Sequence, residues 1–384
     1  MSLKLLENRN IDIDERDVSA VVAAVQSGAL SGTSPLVRVY ETELAEYFGS
    51  AFALAVSSGT AALQVLLYAY GIGPGDEVIL PPTAPVMTVL PIIASGACPV
   101  FVDIAATTFG LDLRSLELAR SARTRLVVTV PMWGYPTNVE ELQSLASDWA
   151  IPLIEDASHA HGTVEGNGRL AGRTSHASFF STQERKLVST GEGGFILTDD
   201  VDVDLARRVR EIRDFGKIDP AHPSLAALAG TYGHVFGLNF RTSAIAAALG
   251  RQQLLKFDRK IAARTANAER LAEAVRRVRH DYRPRPVESG TPNHYSLVVE
   301  GPRGSDATAI GRVLHSRGIV SDIFRFGGVP LNRMPLFAEY RSADTPNAER
   351  ALAEFVTLPT HEGLTESDLG RIERAIGATM GTSA

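Results

Sequence analysis

Apolar and polar positions follow one another in a regular order from residue 52 to residue 156. Five short apolar runs are typical of buried strands: 52–56, 75–80, 99–103, 126–130 and 152–156. Residues at helical spacing fill the intervals between them: 57–70, 86–95, 112–121 and 138–149. Repeated strand and helix units of this kind predict a mostly parallel, mixed sheet with helices on both faces.

The remainder of the chain follows a different pattern. Amphipathic spacing predicts helices at 14–29 and 36–47, a charged helix at 201–215, and a long helix from Thr242 to about Arg277. That long helix changes from Ala-rich to charged midway, which suggests that it leaves the core for a second domain. Beyond it we expect strands at 295–299 and 319–324. We expect helices at 305–317, 346–355 and 365–379. The sequence therefore predicts a large α/β domain over 1–255 and a smaller C-terminal α+β domain over 256–384.

Composition narrows the class of protein. The 384 residues have a net charge of −6, a hydrophobic content of 45% and a mean hydropathy of +0.02, values typical of a globular enzyme. No apolar segment reaches about 18 residues, so we expect no membrane span, no signal peptide and a cytoplasmic location. The absence of a basic block argues against nucleic acid as a partner. The single cysteine, Cys98, excludes an internal disulfide and a thiolate metal site, and we expect no bound metal.

Lys186 lies in an unusual setting. It follows Ser178–Arg185 and precedes the glycine-rich turn Gly191–Gly194, where the backbone can approach a ligand closely. An amine forms a Schiff base with a carbonyl compound, which a guanidinium does not. A solvated loop lysine is the simpler alternative. The chain has four other lysines, which we expect to be exposed: Lys4, Lys217, Lys256 and Lys260.

Two further features belong with this lysine. Asp156 ends a predicted buried strand, at the sheet edge where functional groups gather. The stretch Ser57–Thr60 opens a helix with free backbone N–H groups and a positive dipole end, which suits an anion, although ordinary N-capping also explains it. An anion site, a carboxylate and an amine are what pyridoxal phosphate needs for its phosphate, its pyridine nitrogen and its aldehyde.

These motifs resemble the sugar aminotransferase family often called DegT/DnrJ/StrS, within the fold type I, or aspartate-aminotransferase type, of pyridoxal phosphate enzymes. The resemblance extends over nearly the whole chain. Seven ordered motifs carry it: Leu30–Gly32, Ser57–Leu63, Gly73–Ile79, Pro99–Asp103, Ile154–Gly162, Ser178–Lys186 and Asn239–Arg241.

The resemblance implies a role for each site residue. Lys186 would hold the cofactor and move the proton, Asp156 would pair with the pyridinium, and His159 would lie beside the ring near its phenolic oxygen. We interpret His161 as structural. The phosphate would be bound by these residues: Ser58, Gly59, Thr60 and Ser181. Asn239 would reach the phosphate in the neighbouring subunit, so the family implies a homodimer with shared sites.

Departures from the family pattern concern the substrate. Pro85 falls where relatives bring an aromatic ring over the cofactor. Arg325 lies where relatives often carry His-Tyr-Pro, and suggests a carboxylate or phosphate on the acceptor, a changed donor pocket, or an exposed loop arginine. Arg241 is either an ion-pair partner at the interface or a ligand of the donor carboxylate. Ser31 lies on a flexible loop that we expect at the mouth of the site, near the substrate.

The implied function is amino transfer from glutamate or glutamine to a keto group of a sugar, often nucleotide-linked, or of a cyclitol, with pyridoxamine phosphate as intermediate. Such a reaction belongs to aminosugar, aminocyclitol or antibiotic biosynthesis. The Phe-Ser-x-Gln-x-x-Lys form of the lysine segment resembles members that act on cyclitol ketones. Two alternatives remain: a dehydratase of the same fold, whose members usually replace the lysine with histidine, and a non-catalytic regulatory protein that binds pyridoxal phosphate.

Overall fold

The computed structural model describes residues 4–199, 204–278, 281–326 and 328–380. Its larger sheet has seven strands: β1 (Phe52–Val56), β2 (Glu77–Leu80), β3 (Cys98–Phe101), β4 (Thr124–Thr129), β5 (Leu153–Asp156), β6 (Ala177–Ser181) and β7 (Gly194–Thr198). Their order across the sheet is β1-β7-β6-β5-β4-β2-β3. Strand β7 runs antiparallel to both neighbours, and every other neighbouring pair is parallel. The predicted mostly parallel, mixed sheet is therefore confirmed.

Helices cover both faces of this sheet. Successive side chains of a strand point to opposite faces, and β2 accordingly contributes Val78 and Leu80 to one apolar cluster and Ile79 to another. Eight helices belong to this part of the chain: α1 (Glu15–Gln26), α2 (Pro35–Phe48), α3 (Gly59–Ala69), α4 (Val86–Ala94), α5 (Leu113–Ala119), α6 (Val139–Asp148), α7 (Asp204–Arg213) and α8 (Ala244–Leu255). Helices α5 and α6 pack on one face, and α3 and α4 on the other.

A second sheet lies in the C-terminal part. It is antiparallel, with the order β10-β9-β8, and its strands are β8 (Arg283–Pro284), β9 (Ser296–Glu300) and β10 (Phe355–Pro359). Four helices accompany it: α9 (Phe257–Val278), α10 (Ala307–Ser316), α11 (Pro346–Glu354) and α12 (Glu366–Met380). Strands β9 and β10 and helices α9, α10 and α12 share an apolar cluster that also contains Leu6, whereas α11 packs into the cluster of the larger sheet. A division of the chain at residue 255 stays a prediction.

Two expectations about elements were wrong, at 319–324 and in the long helix from Thr242, and strand β10 was missed. The strand expected at 319–324 is absent; Ile319 makes one bridge to Leu6, and Asp322–Phe326 forms a 3-10 turn. Strand β10 was not predicted because its apolar run follows α11 without a turn signal. The long helix from Thr242 is two helices, broken at Lys256, whose ammonium binds Asp17. Contacts between segments far apart in the chain thus determine the secondary structure at these positions.

Helix α1 is amphipathic as predicted, but its apolar side lies outside the core. Val18, Val22 and Val25 are all exposed, whereas Asp17 and Ala24 are buried. Across the described ranges, every helix is too short or too polar to span a lipid bilayer.

Candidate active site

A cavity of about 210 Å³ lies at the carboxyl ends of β5 and β6, beside the first turn of α3. Parallel pairing of β5 with β6 brings Asp156 opposite Phe179, and Ser181 ends β6 at the same edge. The cavity is lined by Ser58, Gly59, Thr60, Pro85, Met87, Thr88, Asp156, Ser158, His159, Phe179, Ser181, Gln183, Lys186 and Glu192. Seven residues expected at the site thus meet in one place: Ser58, Gly59, Thr60, Asp156, His159, Ser181 and Lys186.

Asp156 is buried and receives two directed hydrogen bonds. Thr88 Oγ1 donates to Oδ2 at 2.6 Å, and the Ser158 backbone N–H donates to Oδ1 at 3.1 Å. Burial raises the pKa of Asp156, whereas these two donors and the nearby charge of Lys186 oppose the shift. The carboxylate is therefore held in place by two donors, and a buried cation beside it would stabilise its charged form.

The first turn of α3 packs backbone to backbone against the sheet. Ser58 caps this helix, because its Oγ accepts the Ala61 N–H at 3.0 Å. A Cβ on Gly59 would lie 2.9 Å from Ser181 Cβ, and a Cβ on Gly194 would lie 2.7 Å from Phe180 O. Only glycine permits this approach, which places the positive end of the α3 dipole in the cavity wall. The Ser58 hydroxyl is used for capping, as the simpler alternative had it.

Lys186 lies on a turn that the glycine-rich segment closes. The backbone N–H of Glu184 donates to Gly191 O at 3.0 Å, and that of Thr182 donates to Gly193 O at 2.9 Å. Gly191 has a φ of +82° and Gly193 a φ of +155°, values that disfavour other residues. The structure thus places Lys186 on a bend that depends on glycine, as predicted.

Tyr295 supports both Lys186 and His159, and the sequence did not predict it. Its ring stacks on the buried imidazole of His159, with 4.3 Å between centroids and 10° between planes. The ammonium of Lys186 lies 5.3 Å from the centroid of the same ring. Asn293 Nδ2 donates to His159 O and to His161 O, both at 2.8 Å, which ties this segment to the end of β5.

Further lining residues were also missed. They are Met87, Thr88, Ser158, Phe179, Gln183 and Glu192. Thr88 lies in the first turn of α4, and only the fold shows that its hydroxyl reaches Asp156. Pro85 does line the cavity, as the alignment with relatives had placed it, and its loop carries no aromatic residue there.

Three of the residues expected to bind the substrate or to reach the partner's phosphate do not line the cavity. Asn239 is exposed, and its Oδ1 accepts from Arg241 Nε at 3.3 Å. Arg241 forms an ion pair with Asp214 at 2.7 Å, which favours the ion-pair interpretation. Ser31 is exposed and bonds to Thr33. None of these residues lines the cavity. Arg325 belongs to the 3-10 turn at 322–326, and its side chain lies outside the described part of the structure.

His161 is fully buried against aromatic rings, with its centroid 5.0 Å from that of Phe180. Burial, together with the charges of Lys186 and Lys260, lowers the pKa of His161 to about 3. A neutral ring in such surroundings supports the structural interpretation.

The expected exposure of the other lysines was wrong at two positions. Lys256 and Lys260 have 5% and 1% of their surface exposed. Charged neighbours in sequence suggested solvent, but the fold supplies acceptors instead: Asp17 for Lys256, and Leu187 O and Gln253 Oε1 for Lys260.

We predict that Gly194→Ala lowers the free energy of unfolding by about 1–3 kcal/mol, because the added methyl would meet backbone atoms that have no room to move. Chemical denaturation measures this change. Gly377→Ala in α12 is the control. Among the described residues nothing lies within 4 Å of its Cβ position, so alanine there should stabilise by about 0.5–1 kcal/mol. Equal effects of the two substitutions would contradict the close packing at Gly194.

Comparison with known proteins identifies the family of this chain. The profile of the DegT/DnrJ/EryC1/StrS aminotransferase family matches residues 11–377. GDP-perosamine synthase from Caulobacter vibrioides is 31% identical over 377 residues, covering 96% of each chain. L-glutamine:2-deoxy-scyllo-inosose aminotransferase from Streptomyces kanamyceticus is 34% identical over 354 residues, covering 88% of this chain and 81% of that protein.

Solved structures show the same fold. The aminotransferase TlmJ from Streptoalloteichus hindustanus superposes with a TM-score of 0.87 at 27% identity, covering 98% of this chain and 99% of that one. 3-Amino-5-hydroxybenzoic acid synthase gives a TM-score of 0.86 at 25% identity over all of both chains. The chain therefore belongs to the DegT/DnrJ/EryC1/StrS aminotransferase family, with the fold of the type I pyridoxal phosphate enzymes.

Proposed function

We propose that the cavity binds pyridoxal phosphate and that the chain transfers an amino group from glutamate or glutamine to a keto group of a sugar or cyclitol. The pyridoxamine form would carry the amino group between the two substrates. One observation carries the proposal: Lys186, Asp156 and the first turn of α3 line a single cavity. The family implies the cofactor. The names of three relatives support the substrate class: GDP-perosamine synthase, a glutamine:inosose aminotransferase and a dTDP-aminosugar transaminase.

The residues present fit this cofactor. The glycine cradle of Gly59 and Gly194 leaves backbone N–H groups at a helix start for a phosphate, with Ser181 beside it. Asp156, whose pKa burial raises, suits the pyridine nitrogen when that nitrogen is protonated, because the added positive charge would stabilise the carboxylate. Lys186 supplies the amine for covalent attachment. His159 would lie against the pyridine ring of the cofactor, and the stacked ring of Tyr295 would hold the imidazole in that orientation.

Each side chain then has a distinct role. Bound pyridoxal phosphate supplies an electron sink that allows bonds at the donor carbon to break. Thr88 and Ser158 keep the Asp156 carboxylate oriented and favour its charged form, since both donate to it. The Nζ of Lys186 is the group that accepts and returns the proton, and the glycine-closed turn limits where that atom can move. The ring of Tyr295, with its centroid 5.3 Å from Nζ, offers a cation–π contact to this amine when it is protonated.

We also propose that the active unit is a homodimer and that Asn239 completes the partner's site. Asn239 is exposed and does not line the cavity of its own chain. Large apolar side chains are exposed around it: Phe215, Tyr232, Phe236 and Leu238. A patch of this kind marks an interaction surface, and a second copy of the chain is the partner that the family pattern implies. The cytoplasmic location stays a prediction.

The alternatives have less support. The dehydratases of this fold usually replace the lysine, and this chain retains Lys186 inside the cavity. A purely regulatory protein would not need the proton-accepting amine, the oriented carboxylate and the helix start in one place. Amino transfer accounts for all three groups.

We predict that Lys186→Ala abolishes the visible absorbance of the lysine–cofactor adduct and the turnover, because it removes the only amine among the lining residues. Absorbance spectroscopy with glutamate and glutamine measures both effects: the wild type should convert to the pyridoxamine form, and the variant should not. Lys4→Ala is the control, since that side chain is 71% exposed and remote. Wild-type conversion by Lys186→Ala would refute the assignment.

The same assay identifies the acceptor class. Protein converted to the pyridoxamine form should return to the pyridoxal form when a true acceptor is added. A panel of keto-cyclitols and nucleotide-linked keto-sugars tests this directly. If simple 2-keto acids restore the pyridoxal form and every member of the panel fails, the proposed substrate class is wrong.

We predict that Thr88→Val weakens pyridoxal phosphate binding about tenfold, because a hydrogen bond to an ionised group is lost. Loss of that donor also raises the pKa of Asp156 further. As the pH falls, Asp156 should therefore take up a proton at a higher pH in the variant than in the wild type, and affinity should be lost there. Thr83→Val is the matched control, since Thr83 is buried and its Oγ1 has no partner among the described residues. Titration with the cofactor at several pH values measures both. Equal affinities of the two variants would contradict the role of Thr88.

Subunit complementation tests the shared site. Lys186→Ala and Asn239→Ala should each be impaired alone, because each damages both sites of a homodimer. After mixing and exchange of subunits, one site of each heterodimer contains both native residues, so about a quarter of wild-type activity should return. No recovery, despite exchange shown by mass spectrometry, would mean that Asn239 does not act across the interface.

A further inference from the structure

A buried polar cluster lies behind the lysine turn. It consists of Gln253, Lys256 and Lys260, at the junction of α8 and α9, and is called the junction cluster here. Lys260 Nζ donates to Leu187 O at 2.8 Å and to Gln253 Oε1 at 2.5 Å. Gln253 Nε2 in turn donates to Asp17 Oδ1 at 2.8 Å. The residue that follows Lys186 is therefore tied to a network that reaches the first turn of α1.

Burial makes the contact between Lys260 and Leu187 a strong one. Lys260 has 1% of its surface exposed, and a charge-assisted hydrogen bond in such surroundings is little weakened by water. Burial lowers the pKa of Lys260 to about 8, and the nearby carboxylate of Glu362 opposes that shift. The ammonium keeps its acceptors in spite of the desolvation cost, so the site is built to hold it.

Two other side-chain contacts of the turn are more exposed. Glu184 forms an ion pair with Arg9 at 2.8 Å, and Arg185 forms one with Glu7 at 2.9 Å. Both pairs are partly exposed, and such pairs contribute little to stability. The contact with Leu187, one residue after the catalytic amine, is made instead by a buried ammonium. Lys260 therefore adds a buried anchor to the backbone hydrogen bonds that close the turn.

Lys260 contacts the backbone next to the catalytic lysine, since its Nζ lies 2.8 Å from the carbonyl oxygen of Leu187. The charges of Lys186 and Lys260 both lower the pKa of His161. Lys260 does not line the cavity, so its side chain does not reach the space proposed for the substrate and the cofactor. Its effect on the reaction has to pass through the backbone that it holds.

We propose that Lys260 is a positioning residue for amino transfer: by holding the carbonyl of Leu187, it fixes the turn that presents Lys186 to the cofactor. The inference rests on the proposed function, because it takes Lys186 as the cofactor-bearing amine. Its consequence is a dependence of Lys186 reactivity on a side chain that is 74 residues away in sequence and outside the cavity.

The chain offers a matched control. Lys256 is also buried, and its ammonium bonds to Asp17, to Asp14 at 3.0 Å and to Asp12 O at 3.0 Å. It belongs to the same junction cluster but donates to the N-terminal segment, not to the lysine turn. Lys256→Met and Lys260→Met should both lower the unfolding temperature, since each leaves buried acceptors unpaired. Only Lys260→Met should change the lysine turn.

Two measurements on the full chain test the proposal. The first is amide hydrogen exchange of the turn without cofactor, at Glu184, Lys186 and Thr190. The second is the rate at which added pyridoxal phosphate forms its visible adduct with Lys186. Lys260→Met should speed the exchange and slow adduct formation, each about tenfold, while Lys256→Met stays within about twofold of the wild type.

Equal effects of the two variants, or no effect of Lys260→Met, would overturn the positioning role. If Lys260→Met does not fold, Lys260→Arg and Lys256→Arg replace the pair; arginine keeps the charge but displaces the donor, so only Lys260→Arg should slow adduct formation, by about threefold. Failure of the wild type to form an adduct would instead refute the proposed function. The exchange measurement without cofactor still decides whether Lys260 orders the turn.

Discussion

The carboxylate of Asp156, buried at the end of a central strand, is the constraint around which the site is organised. A carboxylate without water needs hydrogen-bond donors and positive charge nearby, or it takes up a proton. Thr88 and Ser158 supply the donors from α4 and from the segment after β5. Positive charge comes from the lysine turn, and a protonated ring nitrogen would add to it. The positions of α4, β5 and the turn are therefore linked through one charge.

A second constraint is the close approach of backbones around the cavity. Gly59 and Gly194 let the start of α3 lie against β6 and β7, with no side chain between them. The result is a rigid wall that carries a positive helix dipole. The lysine turn faces this wall and is held from behind by the buried ammonium of Lys260. A fixed wall and a fixed turn together define where an anionic, planar ligand fits.

Much of this arrangement follows from sequence pattern. Strand and helix alternation predicts the parallel sheet, and its carboxyl edge predicts a functional position for Asp156. The meeting of Asp156, Lys186 and Gly59 was expected because pyridoxal phosphate needs a carboxylate, an amine and an anion site together. Thr88, Tyr295 and Lys260 were not predicted, because their roles depend on side-chain contacts between segments far apart in the chain. Lys260 was expected in solvent for the same reason: polar neighbours in sequence do not show which acceptors the fold will supply. The break between α8 and α9 also follows from such contacts.

The most direct measurement is borohydride reduction of the chain with bound pyridoxal phosphate, followed by mass spectrometry of the peptides. Reduction makes the link between cofactor and amine permanent, so the modified residue can be identified. The account predicts a single modified lysine, Lys186, with Lys256 and Lys260 unmodified although both are buried close to the turn or its supports. Stoichiometric modification of another lysine, or none under conditions where the cofactor binds, would contradict the central claim that Lys186 holds the cofactor.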